Sequence, residues 1–312
     1  MNRSVVLVPV ERATDVARIV RVATAIAASP VDVHLVQVMT ADGLWSMEQE
    51  WRGPAAWSPD KEVPATEGVA IRTVRLRGKA EAIIPAYAQL VGARAIIVER
   101  DPRIWRSAAV IRRLSRSSPV PVLVLPAQGH AVDRAAHSGI RRIVAAVDST
   151  VGSAVALRTA VALSHRHAAR LTLLHAIENV PRHLVFSGGE AWRVMQGLPA
   201  ARRQIAGQLR QWAARVGATN AQAQVVTGEP GRAIASATSD AATDLVVMGV
   251  APRTWLDQWV FGSTLGTVLR RARAPVLVVP VIGGAQRWYE DTGGEDAIRA
   301  FAERSLTART AA

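Results

Sequence analysis

Gly249-Val250-Ala251-Pro252 and, after the nine residues 253–261, Gly262-Ser263-Thr264 are the residues whose types and spacing suit the holding of an anion. The stretch begins where the apolar run Leu245-Val246-Val247-Met248 stops, and it finishes where a helix-like stretch, Leu265 to Arg273, begins. Small residues let a backbone approach a phosphate closely. A helix N-terminus adds unpaired N–H groups and the positive end of the helix dipole. A tight strand exit followed by an ordinary Ser/Thr helix cap fits the same residues. No Gly-Lys-Ser/Thr occurs, so this is not a Walker A loop, and no Gly-x-Gly-x-x-Gly follows the first strand. Those absences count against a GTPase-like protein and against an ordinary dehydrogenase.

Other reactive residues form weaker patterns. His165 and His167 flank Arg166 at an expected helix end, a poor arrangement for a metal. His175 falls in an expected strand, where a histidine that satisfies its neighbours is the simpler reading than a catalyst. No Ser, His and Asp have the spacing of a triad. Arg270, Arg271 and Arg273 close an expected helix, where cations suit the negative end of the dipole. The chain has no cysteine, which excludes disulfides and thiolate metal sites.

Around these residues stands a globular composition, 49% apolar and 20% charged. At 312 residues the chain is long enough for two domains of ordinary size. Runs such as Val5 to Val10 are too short to span a bilayer, and Met1-Asn2-Arg3 leads straight into one of them rather than into a signal peptide. A cytoplasmic protein with no membrane contact is expected. The net charge is +13, and only Lys61 and Lys79 among the 38 basic residues are lysines. Residues 1–128 carry +5, residues 129–282 carry +9 and the remainder −1, so no basic arm is formed. Arginine with abundant alanine is also what a GC-rich genome produces, and no nucleic-acid signature accompanies the charge, so nucleic acid is not the expected partner.

The chain repeats itself. Val5-Val6-Leu7-Val8-Pro9-Val10-Glu11 matches Arg142-Ile143-Val144-Ala145-Ala146-Val147-Asp148 at an offset of 137. Arg94 to Val98 matches Asp244 to Met248, and Pro102 to Trp105 matches Pro252 to Trp255, both at 150. Pro121 to Pro126 matches Pro275 to Pro280 at 154. The ordered set marks a duplication. In the second half, strands are expected over Ile143–Val147, Leu171–Ile177, Gln222–Val226, Leu245–Met248 and Val276–Pro280. Helices are expected over Ser153–His165, Glu190–Val216 (broken near Pro199), Gly231–Ser239 and Thr264–Arg273. Near-continuous Val/Leu runs alternating with helices predict a parallel sheet covered on both faces. The first half follows the same order, except where Trp45, Trp51 and Trp57 alternate with Pro54, Pro59 and Pro64; these tryptophans are expected to cover a sheet face.

Val147-Asp148-Ser149, Leu173-Leu174-His175, Gly228-Glu229-Pro230, Val247-Met248-Gly249, Gly262-Ser263 and Ala274 to Val279 together resemble the universal stress protein family, strongly over residues 140–282 and more weakly over 4–126. The resemblance implies a tandem of two α/β domains, residues 1–128 and 139–282, followed by a tail over 283–312. Each domain would carry a five-stranded parallel sheet of order 3-2-1-4-5, Rossmann-like, with ligand at the carboxyl ends of the strands. Carried over from the ATP-binding branch, the nucleotide-binding residues are Asp148 near adenine or ribose and backbone at Ala176. Gly249, Gly262, Ser263 and Thr264 would hold phosphate, with Arg253 adding charge.

Two departures stand out. Pro252 replaces the second loop glycine, fixing φ and removing an N–H donor. In the first half Glu99, Asp101 and Pro102 take the start of the loop, where carboxylates would repel phosphate. The resulting expectation is a stress-response regulator without catalysis, degenerate in its first domain and binding ATP or AMP in its second. If the Pro252 loop cannot hold phosphate, it would instead be a nucleotide-independent partner-binding module. A weak ATPase ranks last, because no base stands beside the loop. The two domains are expected to form an intramolecular pseudo-dimer through their fifth strands; a homodimer and a protein partner stay open.

Overall fold

The computed structural model describes residues 3–10, 14–26, 30–39, 63, 67–100, 108–126, 139–148, 150–177, 189–238, 243–250 and 261–281. The tryptophan- and proline-rich segment, the residues 251–260 and the tail lie outside them. Two compact units result, one of Met1–Ile140 with Arg273–Pro280, the other of Arg141–Ala272 with Val281–Ala312.

The first unit contains β1 (Ser4–Pro9), α1 (Val16–Ile26), β2 (Val31–Met39), β3 (Val69–Arg77), α2 (Ala80–Leu90), β4 (Ala95–Arg100), α3 (Ala108–Ser117) and β5 (Val122–Pro126). Its strands run β3-β2-β1-β4-β5, all parallel, which is the expected 3-2-1-4-5 order. Branched aliphatic side chains with no exposed face build the centre: Leu7, Val8, Val33, Leu35, Ile96, Val98 and Leu125 are buried. Helix α1 covers that sheet with Val16, Ile19, Val20 and Ala23, buried at helical spacing.

The second unit contains β6 (Arg142–Ala146), α4 (Val151–His167), β7 (Arg170–Ile177), α5 (Gly189–Arg215), β8 (Gln222–Thr227), α6 (Pro230–Ala237), β9 (Leu245–Val250) and α7 (Phe261–Arg271). Its strands run β8-β7-β6-β9, again parallel. Ala154, Leu157 and Val161 of α4 and Ile205, Leu209 and Ala213 of α5 form buried stripes. Helix α5 is continuous, whereas a break near Pro199 was expected. A proline inside a helix removes one backbone bond; the buried stripe beyond it holds the helix to the sheet.

Strand β10 (Val276–Pro280) closes the second repeat in sequence, yet it belongs to the first unit. It pairs antiparallel with β5, placing Leu277 opposite Leu123 and Val276 opposite Val124. Both strands are buried throughout, so the apolar edge of β5 is covered by another strand rather than left to solvent.

Candidate functional site

In the second unit, β6 has β7 on one side and β9 on the other, so the chain reverses direction of travel across the sheet at β6. The carboxyl ends of β6 and β9 therefore frame the crevice where ligands of such sheets collect. Asp148 stands there, two residues beyond β6. Its Oδ1 accepts three hydrogen bonds, from Thr150 N at 3.0 Å, Thr150 Oγ1 at 2.5 Å and Ser153 Oγ at 2.6 Å. The Asp148 N–H in turn donates to Ser153 Oγ at 2.8 Å. Thr150 is the N-cap of α4, its hydroxyl accepting from Ser153 N–H. One carboxylate oxygen is thus fixed in the helix cap, and Oδ2 makes no hydrogen bond among the described residues. A half-buried carboxylate held this way presents one acceptor in a set direction, which suits a hydroxyl or amine donor.

Gly249 has a packing role. A Cβ built on it would lie 1.9 Å from the carbonyl oxygen of Gly152 and 2.8 Å from its Cα. The first turn of α4 therefore rests directly on the end of β9, and no side chain fits between them. Through that turn the structure connects Asp148 and Gly249: Thr150 and Ser153 hold the carboxylate while Gly152 touches the glycine. Sequence reasoning missed these three residues. The pattern Thr150-x-x-Ser153 behind an aspartate is a readable cap signal; the Gly152–Gly249 contact joins positions far apart in sequence and leaves none.

The remaining candidates divide. Ala176 lies near the end of β7, in register with Val226 of β8. Beside it His175 is buried and its Nδ1 is 2.9 Å from the Val147 carbonyl. A carbonyl only accepts, so Nδ1 carries the proton and the ring pins β7 to the end of β6, a structural role. Gly262 and Ser263 fall inside the first turn of α7, which starts one residue earlier, at Phe261. The backbone carbonyl of Thr264 approaches Gly231, where a Cβ would come within 3.0 Å of it and 2.7 Å of Thr267 Cβ. Gly231 opens α6, capped by both oxygens of Glu229, each 2.9 Å from a backbone nitrogen. Gly228-Glu229-Pro230-Gly231 thereby seats α6 on α7. Pro252 and Arg253 lie outside the described residues.

The first unit treats the matching place differently. Glu99, at the position of Gly249 in the repeat, is buried and accepts from Arg18 of α1 at 2.8 Å, with side chains only 9% and 7% exposed. Arg18 also reaches the Pro126 carbonyl at 3.3 Å. The Glu99 carboxylate, expected to repel phosphate, has its charge matched by the Arg18 guanidinium. Asp101 and Pro102 lie outside the described residues. Among the described residues no group of three or more His, Cys, Asp or Glu is gathered as for a metal, and no helix is long and apolar enough to cross a membrane.

The sequence profile of the Universal stress protein family matches residues 139–280. No curated protein matches the chain. Among solved structures, a universal stress protein from Archaeoglobus fulgidus DSM 4304 is similar at 14% identity and a TM-score of 0.59, over 90% of this chain and 97% of that one. A functionally unknown protein from Pseudomonas aeruginosa PAO1 is similar at 18% identity and a TM-score of 0.56, over 99% of this chain and 98% of that one. These two likenesses extend the shared fold across both halves. With the profile match and the Asp148, Gly228-Glu229-Pro230 and Gly249 elements in place, residues 139–280 form a domain of the universal stress protein family.

Proposed function

We propose that this protein is a stress-response regulator without catalysis that holds an adenine nucleotide, ATP or AMP, in its second domain. The observation that carries the reading is Asp148, anchored through Oδ1 with Oδ2 left as an acceptor at the carboxyl end of β6. A ribose hydroxyl or the adenine amine is the matching donor. Gly262-Ser263, in the first turn of α7, puts helix N–H groups on the phosphate side. Calorimetric titration with ATP and AMP tests it: Asp148→Ala weakens binding about tenfold or more, while Glu11→Ala leaves it unchanged. Equal loss from both removes the assignment.

Pro252 favours a second reading, a partner-binding module that has lost nucleotide, because proline takes away one loop donor. The two readings separate in Pro252→Gly, which tightens ATP by about tenfold if a charge-assisted bond is regained; unchanged affinity favours the nucleotide-independent module. In either reading the domains are proposed to associate through their fifth strands. The Leu123–Leu277 register supports this. Leu123→Lys or Leu277→Lys then raises the radius of gyration in small-angle scattering.

A further inference from the structure

Summed by half, the charge of this chain forms no basic arm, but the fold gathers part of it onto one helical face. From Ser149 to Gly228 the sequence holds nine arginines and only two carboxylates, Glu178 and Glu190. That stretch supplies α4 and α5. Both crossovers, β6 to β7 and β7 to β8, step the same way across the sheet, so right-handed connections put α4 and α5 on one face. Their C-terminal ends meet there: a Cβ on Gly217, just past α5, would lie 3.8 Å from the His165 ring of α4. Arg166 of α4 and Arg203, Arg210 and Arg215 of α5 are exposed. Among the described residues none of these four side chains forms a hydrogen bond or an ion pair.

Two of the four have an ordinary cause. Arg166 and Arg215 stand in the last turns of their helices, where cations suit the dipole. Arg203 and Arg210 do not. They are seven residues apart, two turns and about 10 Å along one line of α5. A solvent-facing helix of this length commonly mixes both signs of charge, yet no Asp or Glu occurs between Ala191 and Gly228. Elsewhere the chain does pair its surface arginines: Arg72 with Asp32 at 3.2 Å, Arg113 with Glu81 at 3.5 Å and Arg232 with Glu229 at 3.8 Å. Among the described residues the one exposed large apolar side chain is Leu90, in the first unit. The described part of α4 and α5 therefore offers no apolar anchor for a bilayer and no Trp, Tyr or Phe platform for unpaired bases. What suits such a face is a hydrophilic polyanion with its charges in a regular array. Guanidinium groups match phosphates in forked pairs.

We propose that the α4–α5 face binds the phosphate backbone of a nucleic-acid duplex without reading its sequence. The proposal is independent of the nucleotide reading of Asp148. Fluorescence anisotropy of short labelled DNA and RNA duplexes, titrated with the full chain across a salt series, tests it. Binding indifferent to sequence is expected, with log affinity falling against log salt by about 0.9 per phosphate contacted. Arg203→Gln combined with Arg210→Gln flattens that slope by about 2 and weakens binding about tenfold or more. Arg203→Lys combined with Arg210→Lys keeps most of both. Arg113→Gln combined with Arg232→Gln, in α3 and α6, leaves the slope unchanged. Thermal melts confirm that each variant is folded. The tighter of the two duplexes identifies the nucleic acid as DNA or RNA. No duplex binding, tighter binding of the separated strands, or equal flattening by the Arg113 and Arg232 changes overturns the proposal. So does binding to phosphatidylserine vesicles that the Arg203 and Arg210 changes abolish while no duplex binds, which assigns the face to a membrane.

Discussion

At the end of β4 the first unit places Glu99, bound to Arg18 and through it to the Pro126 carbonyl; at the matching end of β9 the second unit places Gly249, against the backbone of Gly152. The sheet orders around the two positions agree, and the central strands are equally apolar. The chemistry differs. At one end the chain supplies a buried ion pair. At the other, the backbone of Gly152 lies against Gly249, and among the described residues Asp148 Oδ2 makes no hydrogen bond. A duplicated fold thus keeps its scaffold while the residues at the matching strand ends diverge.

The largest expected effect breaks the closed side of that comparison. Glu99→Ala leaves the Arg18 guanidinium buried without its partner and costs about 3–5 kcal/mol of stability, read from denaturant unfolding. Arg18→Met combined with Glu99→Leu recovers most of the loss, since an apolar pair needs no charge compensation. A double variant as unstable as the single one would show that the ion pair is not the source. On the open side, Gly249→Ala forces a methyl against the Gly152 carbonyl and costs about 1–3 kcal/mol. Gly207→Ala in α5 meets nothing within 4 Å and is neutral or stabilising. A harmless Gly249→Ala would refute the close approach of α4 to β9. Smaller still, Thr150→Ala removes the α4 cap and one bond to Asp148, costing about 1 kcal/mol and loosening nucleotide with it.

The smallest effect is in pH. Burial, helped by Arg166, holds the His167 imidazole below its ordinary 6.5. A depressed histidine resists protonation in the folded state, so its stability contribution is intact above 6.5 and falls as pH drops below that value. His167→Gln flattens this part of the stability profile; an unchanged slope would assign it to other groups.

Much of the scaffold was legible because parallel strands buried on both faces write themselves as Val/Leu runs, as at Val5–Val8 and Leu245–Met248. The repeat offsets then placed Glu99 opposite Gly249. What could not be read were contacts between distant elements. Arg18 lies in α1, 81 residues from Glu99, and nothing local predicts their pairing. Gly249 was read as room for phosphate, and the approach of Gly152 to it is a contact between distant positions that the sequence does not show. The pairing of the two fifth strands was expected, but its antiparallel register, with Leu277 opposite Leu123, was not legible in the sequence. Pro199, a helix breaker by local rule, was overridden by the buried stripe of Ile205, Leu209 and Ala213.

The central claim is that one of the two crevices is open and the other is closed by Arg18 and Glu99. Counting nucleotide bound per chain at saturation, by equilibrium dialysis with labelled ATP, tests it most directly. One equivalent is predicted, lost in Asp148→Ala and kept in Arg18→Met combined with Glu99→Leu. Two equivalents, or one that survives Asp148→Ala, would contradict it.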